Sequence, residues 1–187
     1  MSFLVLVGII GAIALYAIGI YNGLVKARQM VKEAWSGIDV QLKRRTDLIP
    51  NLVSTIKGYA GHEKDTLREV TEMRTRVQAV PEGDIAGRAV AEGLLGQALG
   101  KLMAVAEAYP DLKANTNFLQ LQETLDKIEG EVQMSRRYYN GAARDLNVKV
   151  ESFPSNFVAN YFKFNSAEYF EIKDATERAV PKVSFDS

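Results

Sequence analysis

The sequence predicts an all-α fold: an N-terminal transmembrane helix followed by an antiparallel up-and-down four-helix bundle. Three observations carry this. Residues Phe3 to Ile20 form an uncharged apolar run. Beyond it, apolar residues recur at alternating steps of three and four, the period of one helix face. The five prolines, Pro50, Pro81, Pro110, Pro154 and Pro181, fall where long helical patterns are punctuated.

The apolar run comes first. Eighteen residues at ~1.5 Å rise cover ~27 Å, close to the thickness of a hydrocarbon core. Tyr16 and Tyr21 suit interfacial depth, and continuation to Val25 lengthens the span. A cleaved signal peptide is the competing reading, since Ala12-Ile13-Ala14 has a small-x-small form. The run continues past that site and no basic side chain precedes it, so a retained anchor over residues 1–25 is expected. Lys26, Arg28 and Lys32 follow the span, which places the bulk of the chain on the cytoplasmic side.

The next stretch organises the rest. Val31, Trp35, Ile38, Leu42, Ile49, Leu52 and Ile56 share one helix face, with Arg45 on the same seam. Pro50 interrupts the chain but not the phase of that seam. Either one helix continues through it, or the chain turns at Thr46–Asp47 and Asp47 caps a second helix. A single helix from Tyr21 to Val80 would reach ~90 Å, too long for the later helices to cover. The reversal is therefore favoured, with one helix ending near Arg45 and a second running from Pro50 to Ala79. On that reading Lys43, Arg44 and Arg45 complement the dipole of a helix end. A buried Arg45 would need a carboxylate, and Glu63 on the second helix is the candidate. Tyr59 is expected inward, and Gly58 with Gly61 marks a close crossing.

Val80-Pro81-Glu82-Gly83-Asp84 reads as a turn with Asp84 capping a third helix, from Ile85 to about Tyr109. Leu94, Leu95, Leu99 and Leu102 supply its knobs, while Gly93, Gly96 and Gly100 leave it thin. Asp111 or Asn115 starts the fourth helix. Phe118, Leu121, Leu125, Ile128, Val132, Tyr139, Ala142, Leu146 and Val150 then keep a heptad-like spacing. The bundle thus occupies residues 26–152. Residues 153–173 form an aromatic segment, with Ser155 capping a short helix that carries Phe157, Tyr161, Phe162 and Phe164. If the fourth helix returns to the membrane, those rings meet the bilayer surface together with Tyr21, Lys26 and Arg28; otherwise they close the end of the bundle. Residues 174–187 read as a polar tail.

Several function classes drop out on inventory. Lys+Arg and Asp+Glu both number 23, so no net field draws the chain to nucleic acid. Cysteine is absent, which removes disulfides, thiolate metal sites and cysteine nucleophiles. His62 is the sole histidine, in HEKDT rather than HExxH, and cannot complete a metal site. Phosphate loops and nucleophile elbows are missing too. No catalytic residue, metal or cofactor is expected. Arg44, Arg45, Glu63, Arg136, Arg137 and Tyr139 form a candidate polar network bridging helices.

The motifs WSGIDVQLKRR, DLIPNLV, GYAGHE, YPDLKAN, FLQLQ, SRRYYN and FPSN together resemble the bacterial LemA family across most of residues 21–170. The resemblance implies a LemA-like helical bundle at the bacterial inner membrane, single-pass, and brings no reaction with it. Magnetosome proteins of related sequence point, by analogy, to a part in membrane organisation. The reading that follows is a non-catalytic, membrane-anchored scaffold or interaction protein. Its partners are membrane lipid, further copies of itself and other membrane proteins. The alternative is a tethered sensor binding a small ligand or lipid headgroup through Arg44, Arg45, Arg136, Arg137 and Tyr139.

Overall fold

The computed structural model describes residues 2–171. The polar tail expected at 174–187 lies outside them. Every regular element among the described residues is helical: α1 (Ser2–Tyr59), α2 (Lys64–Gln78), α3 (Ile85–Glu107), α4 (Pro110–Lys113), α5 (Thr116–Glu151) and α6 (Ser155–Tyr161).

The reversal expected at Thr46–Asp47 does not occur. α1 continues unbroken for 58 residues, through Pro50, to Tyr59. The reason is chemical. Pro50 lacks the N–H that would satisfy the carbonyl four residues back, on Thr46. That carbonyl accepts instead from Nε of Arg74, at 3.1 Å. A side chain from α2 therefore supplies the donor that proline removes, and Thr46 stays buried. Asp47 is an exposed mid-helix residue, not a cap, and Lys43–Arg45 do not sit at a helix end.

The chain turns instead at 60–63. Gly61 belongs to this turn, and a Cβ on Gly58 would meet nothing within 4 Å, so the pair does not mark a helix crossing. Tyr59, expected inward, is 43% exposed, and its hydroxyl accepts from Nδ2 of Asn115 at 2.8 Å. Gly96 and Gly100 likewise face open space.

Other boundaries follow the expected chemistry. Asp84 Oδ1 accepts from the Gly87 N–H at 2.7 Å and caps α3. Gly83 has φ of +88°, a conformation glycine adopts without steric cost. Asn115, rather than Asp111, opens the long helix α5: its Oδ1 accepts from the Phe118 N–H at 3.0 Å. Pro110 instead begins the separate turn α4. Ser155 does not cap α6, because its hydroxyl is turned back onto the Ser152 carbonyl at 2.9 Å.

The chain divides into two compact units. Of the described residues, one comprises 2–43 with Ile128–Tyr169, the other Arg44–Lys127 with Phe170 and Glu171. The second unit has a continuous apolar core. Ile49, Leu52 and Ile56 of α1 meet Leu67, Val70 and Val77 of α2, Leu95, Leu99 and Leu102 of α3, and Phe118 and Leu125 of α5. In the first unit, Leu24, Ile38 and Leu42 of α1 and Val132, Tyr139 and Leu146 of α5 are buried. Seam residues Val31 and Trp35 are only half-buried.

Candidate functional site

Two arrangements of side chains go beyond simple core packing, one in each unit. In the first unit, α6 and the chain after it are fastened to α1 and α5. Asn147 of α5 forms a reciprocal pair with the backbone of Ala167: its Nδ2 donates to the carbonyl at 3.0 Å and its Oδ1 accepts from the N–H at 2.7 Å. One turn-pair earlier, the Tyr139 hydroxyl donates to the Glu168 carbonyl at 2.8 Å, and its ring meets Trp35 of α1 edge-on at 5.6 Å. These bonds satisfy backbone groups of a segment that has no regular structure of its own.

The fastening sets Phe164 against α1. Its ring lies edge-on to Tyr21 at 5.8 Å, under the guanidinium of Arg28 at 4.8 Å. Leu24, Ala159 and Phe164 form a small buried cluster, flanked by Ile20, Tyr21, Val25, Val150 and Val158. Phe162 packs on Tyr21 at 4.7 Å. The aromatic segment thus divides by chemistry. Phe164 is buried, while Phe153, Phe157, Tyr161 and Phe162 are exposed by 79%, 65%, 81% and 51%. Lys26 and Arg28 are exposed on α1 beside them.

In the second unit, a carboxylate with no solvent access sits between two guanidiniums. Arg45 Nη2 of α1 is ion-paired to Glu92 Oε2 and also donates to the Glu92 carbonyl at 3.3 Å, while Arg88 Nε donates to Glu92 Oε1 at 2.8 Å. The expected partner of Arg45, Glu63, is not the one it meets. Because α1 does not reverse at Thr46, Glu63 falls in the turn before α2, where it accepts from the Tyr109 hydroxyl at 3.1 Å. Glu92 escaped the sequence reading. One signal could have found it: α3 is rich in Ala, Gly and Leu, and its few charges include Arg88 and Glu92 four apart, with Glu92 three residues before Leu95.

The members of the expected polar network fall in both units. Arg136, Arg137 and Tyr139 lie in the first unit, and Arg44, Arg45 and Glu63 in the second. Arg44 and Arg137 are exposed and Arg136 is half-buried. His62 is exposed in the turn between α1 and α2. Among the described residues, no three His, Cys, Asp or Glu residues are grouped to hold a metal ion. A groove of about 390 Å³ in the second unit is lined by Val53, Lys57, Gly61, Lys64, Leu67, Arg68 and Thr71. Its Arg68 is ion-paired with Asp65 and Glu72 at 2.9 and 3.6 Å. Among the described residues, the lining includes no carboxylate or imidazole.

Burial, then the hydrogen bond to Glu63 and the charge of that carboxylate, raise the Tyr109 hydroxyl above its ordinary value of 10.0. Burial, followed by Glu168, raises Tyr139 in the same direction. A raised folded-state value means that the unfolded chain loses these protons first. The stabilisation is fully present below pH ~10 and is lost as pH rises through the folded values. Thermal stability should therefore fall above pH ~10, and less steeply in Tyr109→Phe and Tyr139→Phe. Absorbance titration of the tyrosinates alongside the melts would check this; equal slopes in all three proteins would refute it.

α1 and α3 are both long and apolar enough to cross a membrane, but they differ in where their apolar surface goes. α3 places Ala91, Leu95, Ala98, Leu99, Leu102 and Ala106 in the core of the second unit. The apolar window of α1, by contrast, is wholly unburied. That leaves α1 as the candidate anchor.

Comparison with known proteins adds a family. A model described as the LemA family matches residues 34–185. The magnetosome protein MamQ 2 of Paramagnetospirillum magneticum is 28% identical over 184 residues, covering 86% of this chain and 68% of its own length. The protein LemA of Metamycoplasma hominis is 26% identical over 165 residues, covering 88% of this chain and 75% of its own. The magnetosome protein MamQ of Magnetospirillum gryphiswaldense is also 26% identical, over 184 residues.

Proposed function

The chain belongs to the LemA family, and from that premise we propose that it is a non-catalytic, membrane-anchored helical scaffold that self-assembles. The observation that carries this reading is the contrast along α1. Its apolar N-terminal segment has no protein cover, yet the same helix continues into a seam where Ile38, Leu42, Ile49, Leu52 and Ile56 are buried. An uncharged run long enough for a bilayer and bare of protein calls for lipid around it. The anchor is single-pass in the inner membrane, with the helical bulk on the cytoplasmic side because the basic residues follow the span.

A scaffold is favoured over an enzyme by the side-chain inventory, which has no cysteine and one exposed histidine. It is favoured over a small-ligand sensor by Arg45, since Glu92 already occupies the guanidinium that a ligand would need. Two of the relatives are named as magnetosome proteins, and a part in membrane organisation is carried over from that name by analogy alone.

The test is the mass of the full chain extracted in mild detergent. Discrete complexes of several copies are expected. A monodisperse monomer whose melting temperature rises with one metabolite would replace the scaffold with a sensor.

A further inference from the structure

We propose that Phe153, Phe157, Tyr161 and Phe162 form a second lipid contact, a ridge that enters the bilayer interface beside the anchoring helix. The inference rests on the membrane-anchored reading above and adds a surface to it. Three of these residues are spaced by four, so they fall along one side of α6 and the turn before it. All four rings are half or more exposed, whereas the opposite side of the same segment is covered: Ala159 is 0% exposed and packs with Leu24 and Phe164. A short helix with aromatic rings outward and small or aliphatic residues inward has its apolar surface on the wrong side for water. It has it on the right side for an interface.

The occupant is fixed by position. α6 does not stand free; it packs on Ile20, Tyr21 and Leu24, where the uncharged run of α1 ends. If residues 3–20 cross the hydrocarbon core, the water–lipid boundary falls at Tyr21, and the ridge is held at that depth. The proposed surface is therefore continuous with the surface that the anchor already presents to lipid. Exposed Lys26, Arg28 and Lys163 belong to the same unit and suit anionic headgroups, with Asp145, Glu151 and Glu168 among its exposed acids. Tyrosine and phenylalanine suit this depth because their rings are apolar and the tyrosine hydroxyl stays hydrated. The bonds from Asn147 and Tyr139 to the chain at 167–168 hold the ridge in place.

Depth-dependent fluorescence quenching tests this in the full chain. Trp35, the sole tryptophan, is replaced by Phe, and single tryptophans are placed by Phe157→Trp, Tyr161→Trp and, within the anchor, Leu15→Trp. Each variant is reconstituted in phosphatidylcholine–phosphatidylglycerol vesicles with bromine near the top or near the end of the acyl chains. The expected result is blue-shifted emission at 157 and 161, largely lost with bromine near the top of the chains and little affected by acrylamide. Residue 15 should be quenched best by deep bromine. Water-like emission at 157 and 161 with strong acrylamide quenching, while residue 15 is still quenched by lipid, would overturn the ridge and leave the anchor standing. Protection from both quenchers at 157 and 161 would also overturn it, because protein would then cover the ridge. Failure of lipid to quench residue 15 would remove the anchored reading and the ridge with it.

Discussion

Glu92→Ala should destabilise the protein by about 3–5 kcal/mol, the cost of leaving a buried guanidinium without its counter-charge. Glu92 is fully buried and Arg45 is 2% exposed, so water cannot take the place of the missing carboxylate. Arg88 is better placed, at 18% side-chain exposure, and can turn outward. For a chain of this length the loss should lower the melting temperature of the detergent-solubilised protein by roughly 10 °C. Glu92→Gln keeps the shape and the hydrogen-bonding oxygen and should cost less. Arg45→Met combined with Glu92→Met should recover most of the loss, since removing both charges together removes the desolvation cost of each. A Glu92→Ala loss below about 1 kcal/mol would mean that the pair is not buried as described.

Phe164→Ala has the second large effect, and it is local. Phe164 is 5% exposed and joins α1 to the segment after α6 through Tyr21, Leu24 and the Arg28 guanidinium. Emptying that position should weaken the attachment of residues 153–164 by about 3–5 kcal/mol. Hydrogen exchange read by mass spectrometry should show α6 amides losing protection by about a hundredfold or more, while α2 and α3 amides keep theirs. Phe164→Leu should lie well short of this. Unchanged exchange in α6 would show that the bonds from Asn147 and Tyr139 hold the segment without the ring.

The apolar seams were legible because a helix face has to repeat. Ile38, Leu42, Ile49, Leu52 and Ile56 are all buried where the spacing puts them, and the same rule finds Phe118, Leu125, Ile128, Val132, Tyr139 and Leu146 on α5. Caps made by neighbours were legible too, as at Asp84. The misplaced reversal has a different origin. Proline within a helix normally leaves an acceptor empty, and local reading therefore favours a break at Pro50. The acceptor on Thr46 is filled from Arg74, 28 positions later, a distance that no periodicity reports. Nor does helix length forbid continuity, because each unit takes up its own part of α1.

The site residues divide in the same way. Tyr21, Phe162 and Phe164 could be assigned to one region from composition, since aromatic rings collect near the end of an apolar span. Which rings face outward could not. That depends on Asn147, an ordinary polar residue between Leu146 and Val148 in the sequence, whose bond to Ala167 fixes how the chain leaves α6. Glu92 was hidden for a related reason: a carboxylate on an Ala- and Gly-rich helix reads as surface until its partner on α1 is known. Arg45 announced the need for such a partner, and the choice of Glu63 followed from the misplaced turn.

The claim on which the account depends is that residues 3–20 lie within a bilayer, and alkaline carbonate extraction of membranes from cells expressing the full chain tests it most directly. The account predicts that the protein stays in the membrane pellet after the wash and is released by detergent alone. Its appearance in the carbonate supernatant would contradict the anchor.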